Sequence, residues 1–178
     1  MSTVIVVLDI SAAFDTICHS KLLDRLRDEF GFEGVALTWI ESYLSGWSQF
    51  VRIGQQSSTS KLHSGIPQGS VLWPLLFAAY VSPVRDVIRK AGLKHHQYAD
   101  DTQLYLSMRS THYRADLNQI EECTLTVHDW FLDNDLQLNP SKSEAMSLGT
   151  VVQYRTIIGT GTVAVAGHRC NSCVRSSV

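Results

Sequence analysis

The chain has 178 residues, 44% of them hydrophobic, and a formal net charge of -2, which is enough apolar content for one real core and too little length for two comfortable domains. That charge balance excludes a free-standing basic nucleic-acid module, and no apolar run approaches the ~18 residues of a membrane helix. The first lysine is Lys21, so no secretory signal is expected either, and the four cysteines (Cys18, Cys123, Cys170, Cys173) are too few and too scattered for a disulfide framework.

Residues 4–8, VIVVL, form a β-branched run with the pattern of a strand buried on both faces. Asp9 follows directly, at the mouth of a site or as a cap on the next turn. Leu22, Leu23, Leu26 and Phe30 recur at helical spacing, with Ser20 as N-cap and Gly31 as stop. A second helical face carries Ala36, Trp39, Ile40, Tyr43 and Leu44 and ends at Ser45 and Gly46. Residues 49–62 read as a polar, weakly patterned edge hairpin. In the loop that follows, SGIPQGS, Gly65 and Gly69 either let backbone approach a ligand or make a turn.

Residues 71–81 suit a buried helix, with Pro74 tolerated in its first turn, and Ser82 and Pro83 restart a helix as N-cap and first position. In QYADDTQLY, residues 97–105, short alternating runs flank a turn, placing Asp100 and Asp101 at a hairpin tip. Neighbouring carboxylates repel unless a cation lies between them, so the pair is either solvated or a site for a hard divalent metal. Residues 111–134 form a long amphipathic helix with Leu117, Ile120, Val127, Trp130 and Phe131 on its inner face. Strands at 136–138 and 145–148 are broken by a turn from Asn139 to Lys142.

Beyond residue 148 the chain carries Arg155, Arg169 and Arg175 with no acid and gives a weak strand signal, as of a truncated element. Cys170 and Cys173 with His168 make half a zinc pattern, for which Cys123 and His128 are the one plausible complement; structural zinc sites more commonly show two close ligand pairs. The order strand, helices, strand pair, helix, strand predicts an α+β fold, an antiparallel sheet with helices packed on one face, related to the split βαβ or ferredoxin-like unit. Such a layout allows the end of the first strand and the hairpin tip to be neighbours, which would bring Asp9 to Asp100 and Asp101.

The segments VLDISAAFDTICHSKLL, GIPQGSVLWPLLF, YADDTQLY and LQLNPSKSE occur in this order. Together they resemble the four palm motifs of reverse transcriptases, specifically those of non-LTR, LINE-like retrotransposons. The resemblance covers residues 4–148 and implies a polymerase palm domain over 1–148, followed by a tail at 149–178. It implies RNA-directed DNA synthesis, with nucleotidyl transfer from a deoxynucleoside triphosphate to a primer 3′-hydroxyl. Asp9, Asp100 and Asp101 match the family's metal-binding aspartates, which would hold two Mg2+ ions, or Mn2+.

Phe14 matches the aromatic that blocks a ribose 2′-hydroxyl, and Gln68 with Gly69 matches the segment beside the incoming nucleotide and template. Lys142 matches the lysine that protonates departing pyrophosphate. Read without the family, these are a core phenylalanine, a loop amide and a solvated turn charge. Asp15 is expected to cap or pair locally, Tyr98 to pack behind the hairpin, and Trp39, Trp130 and Phe131 to lie in the core.

The chain departs from the family at Trp73, where a glycine is usual, and at Cys18, where an acid is frequent. An indole forced into a close-packed helix start costs on the order of 1–3 kcal/mol unless its neighbours move. The chain starts almost at the first motif and stops before a thumb. The expected partners are therefore an RNA template, a DNA primer, deoxynucleotides and the missing fingers and thumb, with little polymerase activity from the isolated chain. The alternatives are a decayed palm remnant that at most binds metal or nucleic acid, and a plain interaction module. An intracellular location, nuclear or cytoplasmic, is expected.

Overall fold

The computed structural model describes residues 2–13, 15–66, 70–108, 112–139, 141–148, 164–165, 167–169 and 172–175. In chain order they form β1 (Ser2–Leu8), β2 (Ile10–Ser11), α1 (His19–Asp28), α2 (Gly34–Leu44), β3 (Ser48–Ile53), β4 (Gln56–Lys61), α3 (Trp73–Val81) and α4 (Val84–Lys90). There follow β5 (Lys94–Tyr98), β6 (Asp101–Met108), α5 (Tyr113–Asp133), β7 (Gln137–Leu138), β8 (Glu144–Leu148), β9 (Ala164–Val165), β10 (His168–Arg169) and β11 (Ser172–Arg175). The chain divides into two compact units, Met1–Ser11 with Ser82–Val178, and Ala12–Val81.

The first unit is built on a five-stranded sheet in the order β11-β8-β1-β6-β5. Its neighbours run antiparallel except for the β8–β11 pair, which is parallel. β1 lies at the centre, and its side chains decide the two faces. Val4, Val6 and Leu8 are buried, as are Thr102, Leu104 and Met108 on β6 and Ala145 and Ser147 on β8. Ile120, Cys123, Val127 and Phe131 of α5 and Val84 and Ile88 of α4 complete this core.

On the other face Thr3, Ile5 and Val7 are only half-buried, which corrects the expectation that β1 is enclosed on both sides. The reason lies in the register: Val7 stands against Gln103 and Glu144, and Thr3 against Ser107, so polar neighbours keep this face wet. The helix expected to start at Pro83 begins one residue later, with Pro83 as its cap. Of the zinc pattern, Cys170 lies outside the described residues. Cys123 is buried in α5, where desolvation pushes its thiol up to about 11, the opposite of what a thiolate ligand requires.

In the second unit α1 packs on α2 and α3. Its cap is Cys18 rather than Ser20: the Leu22 N–H donates to the Cys18 carbonyl at 3.0 Å, so the helix begins before the serine. Gly31, at φ 67, reverses the chain after it. α2 buries only Ile40 and Leu44. Trp39, expected in the core, is 57% exposed and stacks on Tyr43 at 6.0 Å, because this helix uses a narrow i, i+4 stripe instead of a full face.

α3 is apolar all round but not enclosed as expected: Trp73, Leu76, Phe77, Ala79, Tyr80 and Val81 are buried, while Leu75 is 69% exposed. Pro74 sits in its first turn, where a missing N–H loses nothing. Trp73 is 6% exposed and stacks on Phe77 one turn on, with 5.2 Å between centroids, so the indole is absorbed by an aromatic neighbour on its own helix. From α1, the Arg25 guanidinium lies 5.0 Å over the Tyr80 ring and 3.5 Å from Glu29; desolvation there lowers its pKa, against the pull of Glu29. Among the described residues, no helix is long and apolar enough to cross a membrane.

Candidate active site

β1 delivers Asp9 at its carboxyl end, immediately after the fully buried Leu8. The chain does not turn away there. β2 continues past Asp9 to pair with β7, Ile10 against Leu138 and Ser11 against Gln137. Both backbone groups of Asp9 are tied to the segment between β7 and β8. Its N–H donates to Ser143 Oγ at 3.2 Å, and its carbonyl accepts from the Asn139 N–H at 2.8 Å.

That segment is a closed turn in its own right. The Asn139 carbonyl accepts from the Lys142 N–H (3.2 Å), the Ser143 N–H (3.0 Å) and Ser143 Oγ (2.9 Å). Lys142 is carried at its exposed tip, so the one cation of the candidate set rides on the turn that pins the Asp9 backbone. Sequence reasoning named Lys142 and missed Asn139 and Ser143. Their i, i+4 spacing around a proline-led turn was the available signal.

The acidic pair comes from the β5–β6 hairpin. Tyr98 pairs with Asp101, leaving Ala99 and Asp100 as a two-residue loop, with Asp101 as the first residue of β6. The Gln97 side chain bonds Thr102 Oγ1 across the next rung at 3.4 Å. Ala99 has φ 52, the positive value that a two-residue hairpin demands and that glycine adopts more cheaply. Ala99→Gly is therefore expected to raise stability by about 0.5–1 kcal/mol, the relieved strain outweighing the added chain entropy. A urea denaturation midpoint checks this, and a fall in midpoint would show that the alanine is unstrained.

Leu8 pairs with Thr102. That is the ladder's last pair, so Asp9, the residue after Leu8, and Asp101, the residue before Thr102, stand at the same end of the sheet; on β6, Asp101 lies on the half-exposed face with Gln103. Tyr98 belongs to that face too and is 76% exposed, so it does not pack behind the hairpin as expected; its register partner is Asp101, on the side away from α4 and α5. Among the described residues none of the three aspartates is paired with a lysine or arginine. All three offer hard oxygen donors without sulfur or imidazole, the set suited to Mg2+ or Mn2+. Among the described residues no three acidic, His or Cys side chains stand close enough together to hold an ion. The β1–β6 register brings Asp9 and Asp101 to the same end of the sheet, and neighbouring like charges repel unless a cation lies between them.

Phe14, Gln68 and Gly69 lie outside the described residues. The segments beside them are joined within the second unit: the Gly65 N–H donates to the Ile17 carbonyl at 2.8 Å, Cys18 bridges Ser64, and His19 Nε2 bonds the Gly65 carbonyl at 2.6 Å. Asp15 is exposed, its N–H closing a turn onto the Ala12 carbonyl at 2.9 Å.

Residues 1–169 match the family model described as reverse transcriptase (RNA-dependent DNA polymerase). Over 148 residues the chain is 30% identical to the probable RNA-directed DNA polymerase from transposon BS of Drosophila melanogaster, covering 78% of this chain and 16% of the relative. Over 157 residues it is 35% identical to the retrovirus-related Pol polyprotein from type-1 retrotransposable element R2 of Popillia japonica, covering 81% of this chain and 21% of the relative. The chain thus spans a small part of these relatives' length. Among solved structures, apo telomerase from Candida tropicalis, truncated from its C-terminal domain, superposes with a TM-score of 0.60 at 13% identity over 82% of this chain and 31% of that one. At that identity the likeness speaks to the fold.

Proposed function

Because the chain belongs to the reverse transcriptase (RNA-dependent DNA polymerase) family, of the type carried by non-LTR elements, we propose that it forms the palm of an RNA-directed DNA polymerase that extends a DNA primer on an RNA template. The observation that carries this reading is the ladder from β1 to β6. Its last pair, Leu8 with Thr102, leaves Asp9 at the end of the sheet where the β5–β6 hairpin carries Asp100 and Asp101, which supports the reading.

When bound, two Mg2+ or Mn2+ ions would supply what the side chains lack, lowering the pKa of the primer hydroxyl and neutralising charge on the triphosphate. Asp9, Asp100 and Asp101 would hold them. Asp9 suits a fixed ligand because Ser143 and Asn139 immobilise its backbone on both sides. The Lys142 ammonium, exposed on the same turn, would give a proton to departing pyrophosphate. Phe14 would close the space next to the sugar C2′ against a hydroxyl, selecting deoxynucleotides, and Gln68 with Gly69 would line the nucleotide and template.

A second reading, a palm remnant that binds without polymerising, is favoured by one observation: the acidic side chains are not drawn together into a ready cation site. Trp73 gives it no support, since the indole is accommodated by stacking. The readings separate in one experiment, titration with Mn2+ followed by RNA-templated, DNA-primed extension, on the chain and on Asp100→Asn. Extension that disappears in the variant establishes the first reading. Mn2+ binding that the variant loses, without extension, establishes the second, and Mn2+ binding unaffected by Asp100→Asn sinks the shared site in both.

A further inference from the structure

The β3–β4 hairpin is exposed on both faces along its full length, although it carries Phe50, Val51 and Ile53. Its register sorts the side chains. Phe50 pairs with Thr59, Arg52 with Ser57 and Ser48 with Lys61, so one face joins an aromatic ring, two cations and three hydroxyls. The opposite face holds Val51 and Ile53 with uncharged partners. Phe50 is 72% exposed, and among the described residues neither Arg52 nor Lys61 is in an ion pair.

The Phe50 face runs into a groove of about 840 Å3 at the hairpin root, lined by Ser48, Thr59 and Lys61 together with His19, His63 and Trp47 and by no carboxylate. The Trp47 indole is fixed by its N–H donating to the Tyr43 carbonyl at 2.7 Å, and the hairpin ends are joined by the Leu62 N–H on the Trp47 carbonyl at 2.9 Å. No Asp or Glu occurs anywhere between Glu41 and Asp86, although the whole chain is net negative. A surface that concentrates cations, excludes acids and leaves the Phe50 ring exposed is complementary to a flexible polyanion with stackable bases.

We propose that this hairpin face and the groove at its root bind single-stranded RNA, with a base stacked on Phe50 and phosphates against Arg52 and Lys61. The hydroxyls of Ser48, Ser57 and Thr59 on the same face are donors and acceptors for the ribose 2′-hydroxyl, which favours RNA over DNA. A duplex has no free base face to offer the ring. The site is carried entirely by the second unit and needs no metal. It rests on the polymerase reading only in that such a protein would have an RNA strand to hold.

The test is fluorescence anisotropy of the 178-residue chain with a labelled single-stranded RNA of about a dozen nucleotides, in EDTA, over a series of salt concentrations. Phe50→Ala is expected to weaken binding about 5- to 100-fold and Phe50→Tyr to restore it. Arg52→Gln and Lys61→Gln are each expected to reduce the slope of log affinity against log salt by about 0.7. Ile53→Ala, at a side chain 79% exposed on the other face, is expected to change nothing.

Absence of RNA binding, equal binding by Phe50→Ala, an Ile53→Ala loss as large as that of Phe50→Ala, or DNA or duplex bound as tightly as the RNA would each overturn the assignment. With the metal chelated, failure here leaves the carboxylate site standing. Loss of the Mn2+ response in Asp100→Asn, or its absence, says nothing against the hairpin.

Discussion

Asp9→Asn is expected to lower whatever RNA-templated primer extension the proposed palm supports about a hundred- to a thousand-fold, and Mn2+ affinity at least about tenfold, without lowering the melting temperature. The substitution is isosteric. The contacts that fix residue 9, its N–H on Ser143 Oγ and its carbonyl under the Asn139 N–H, belong to the backbone and survive any change of side chain. What is lost is one negative charge at the point where the proposed cations would be held, and a neutral amide oxygen does not replace it. No ion pair among the described residues is broken, and removing a like charge from the sheet end shared with Asp101 relieves repulsion, so stability is expected to rise by about a few tenths of a kcal/mol. Asp15→Asn is the control, since that residue is exposed and its backbone closes a separate turn. Stopped extension reactions, Mn2+ titration and thermal unfolding check the three parts. A fall in stability matching the fall in activity would mean that Asp9 is structural, and unchanged Mn2+ affinity would remove it from the metal site.

The parts of this arrangement that local chemistry dictates were legible in the sequence. β1 announces itself by an unbroken β-branched run and the β5–β6 hairpin and α5 by periodicity; a turn within residues 99–102 follows from turn chemistry next to an alternating strand, although its two-residue length, with Asp101 already in β6, does not. The acids were identifiable because two adjacent carboxylates at a tip demand an explanation. Illegible were properties that belong to partners. Whether Val7 faces a wet or a dry neighbour depends on Gln103 and Glu144, brought to it by register, and the same ladder turns Tyr98 outward beside Asp101.

Trp39 shows the limit of periodicity in another way: five apolar positions defined a face, but packing used only Ile40 and Leu44. Asn139 and Ser143 carried no period at all, and their role exists only through a β1 end that lies far away in sequence. The parallel edge strand β11 gave a weak signal for a similar reason, since it is defined by pairing with β8, which lies well away in sequence. Phe14, Gln68 and Gly69, named from the family's motifs, lie outside the described residues.

Phe131→Ala is expected to cost about 3–5 kcal/mol, the largest loss of stability among the changes considered, and to loosen the site from behind. The ring is fully buried in the last turn of α5, edge-on to Trp130 at 5.5 Å between centroids. Its own carbonyl receives the N–H of Leu136 at 2.8 Å and that of Asn134 at 3.0 Å, which turns the chain out of the helix into β7. One residue beyond β7 is Asn139, whose N–H holds the Asp9 carbonyl.

Removing the ring leaves a cavity at the point that sets the path from α5 to the turn that bears Asn139 and Ser143, so two effects are expected together. The midpoint of urea unfolding falls, and amide hydrogen exchange at Leu136 and Asn139 accelerates beyond what the global loss accounts for. Leu132→Ala, at the exposed neighbouring position, is expected to change stability by less than about 1 kcal/mol. If Phe131→Ala loses stability while exchange at Asn139 only keeps pace with global unfolding, the helix end supports the core without steering the turn. Selective acceleration at Asn139 would instead show that the position of Asp9 is set through α5 and β7 as well as through β1.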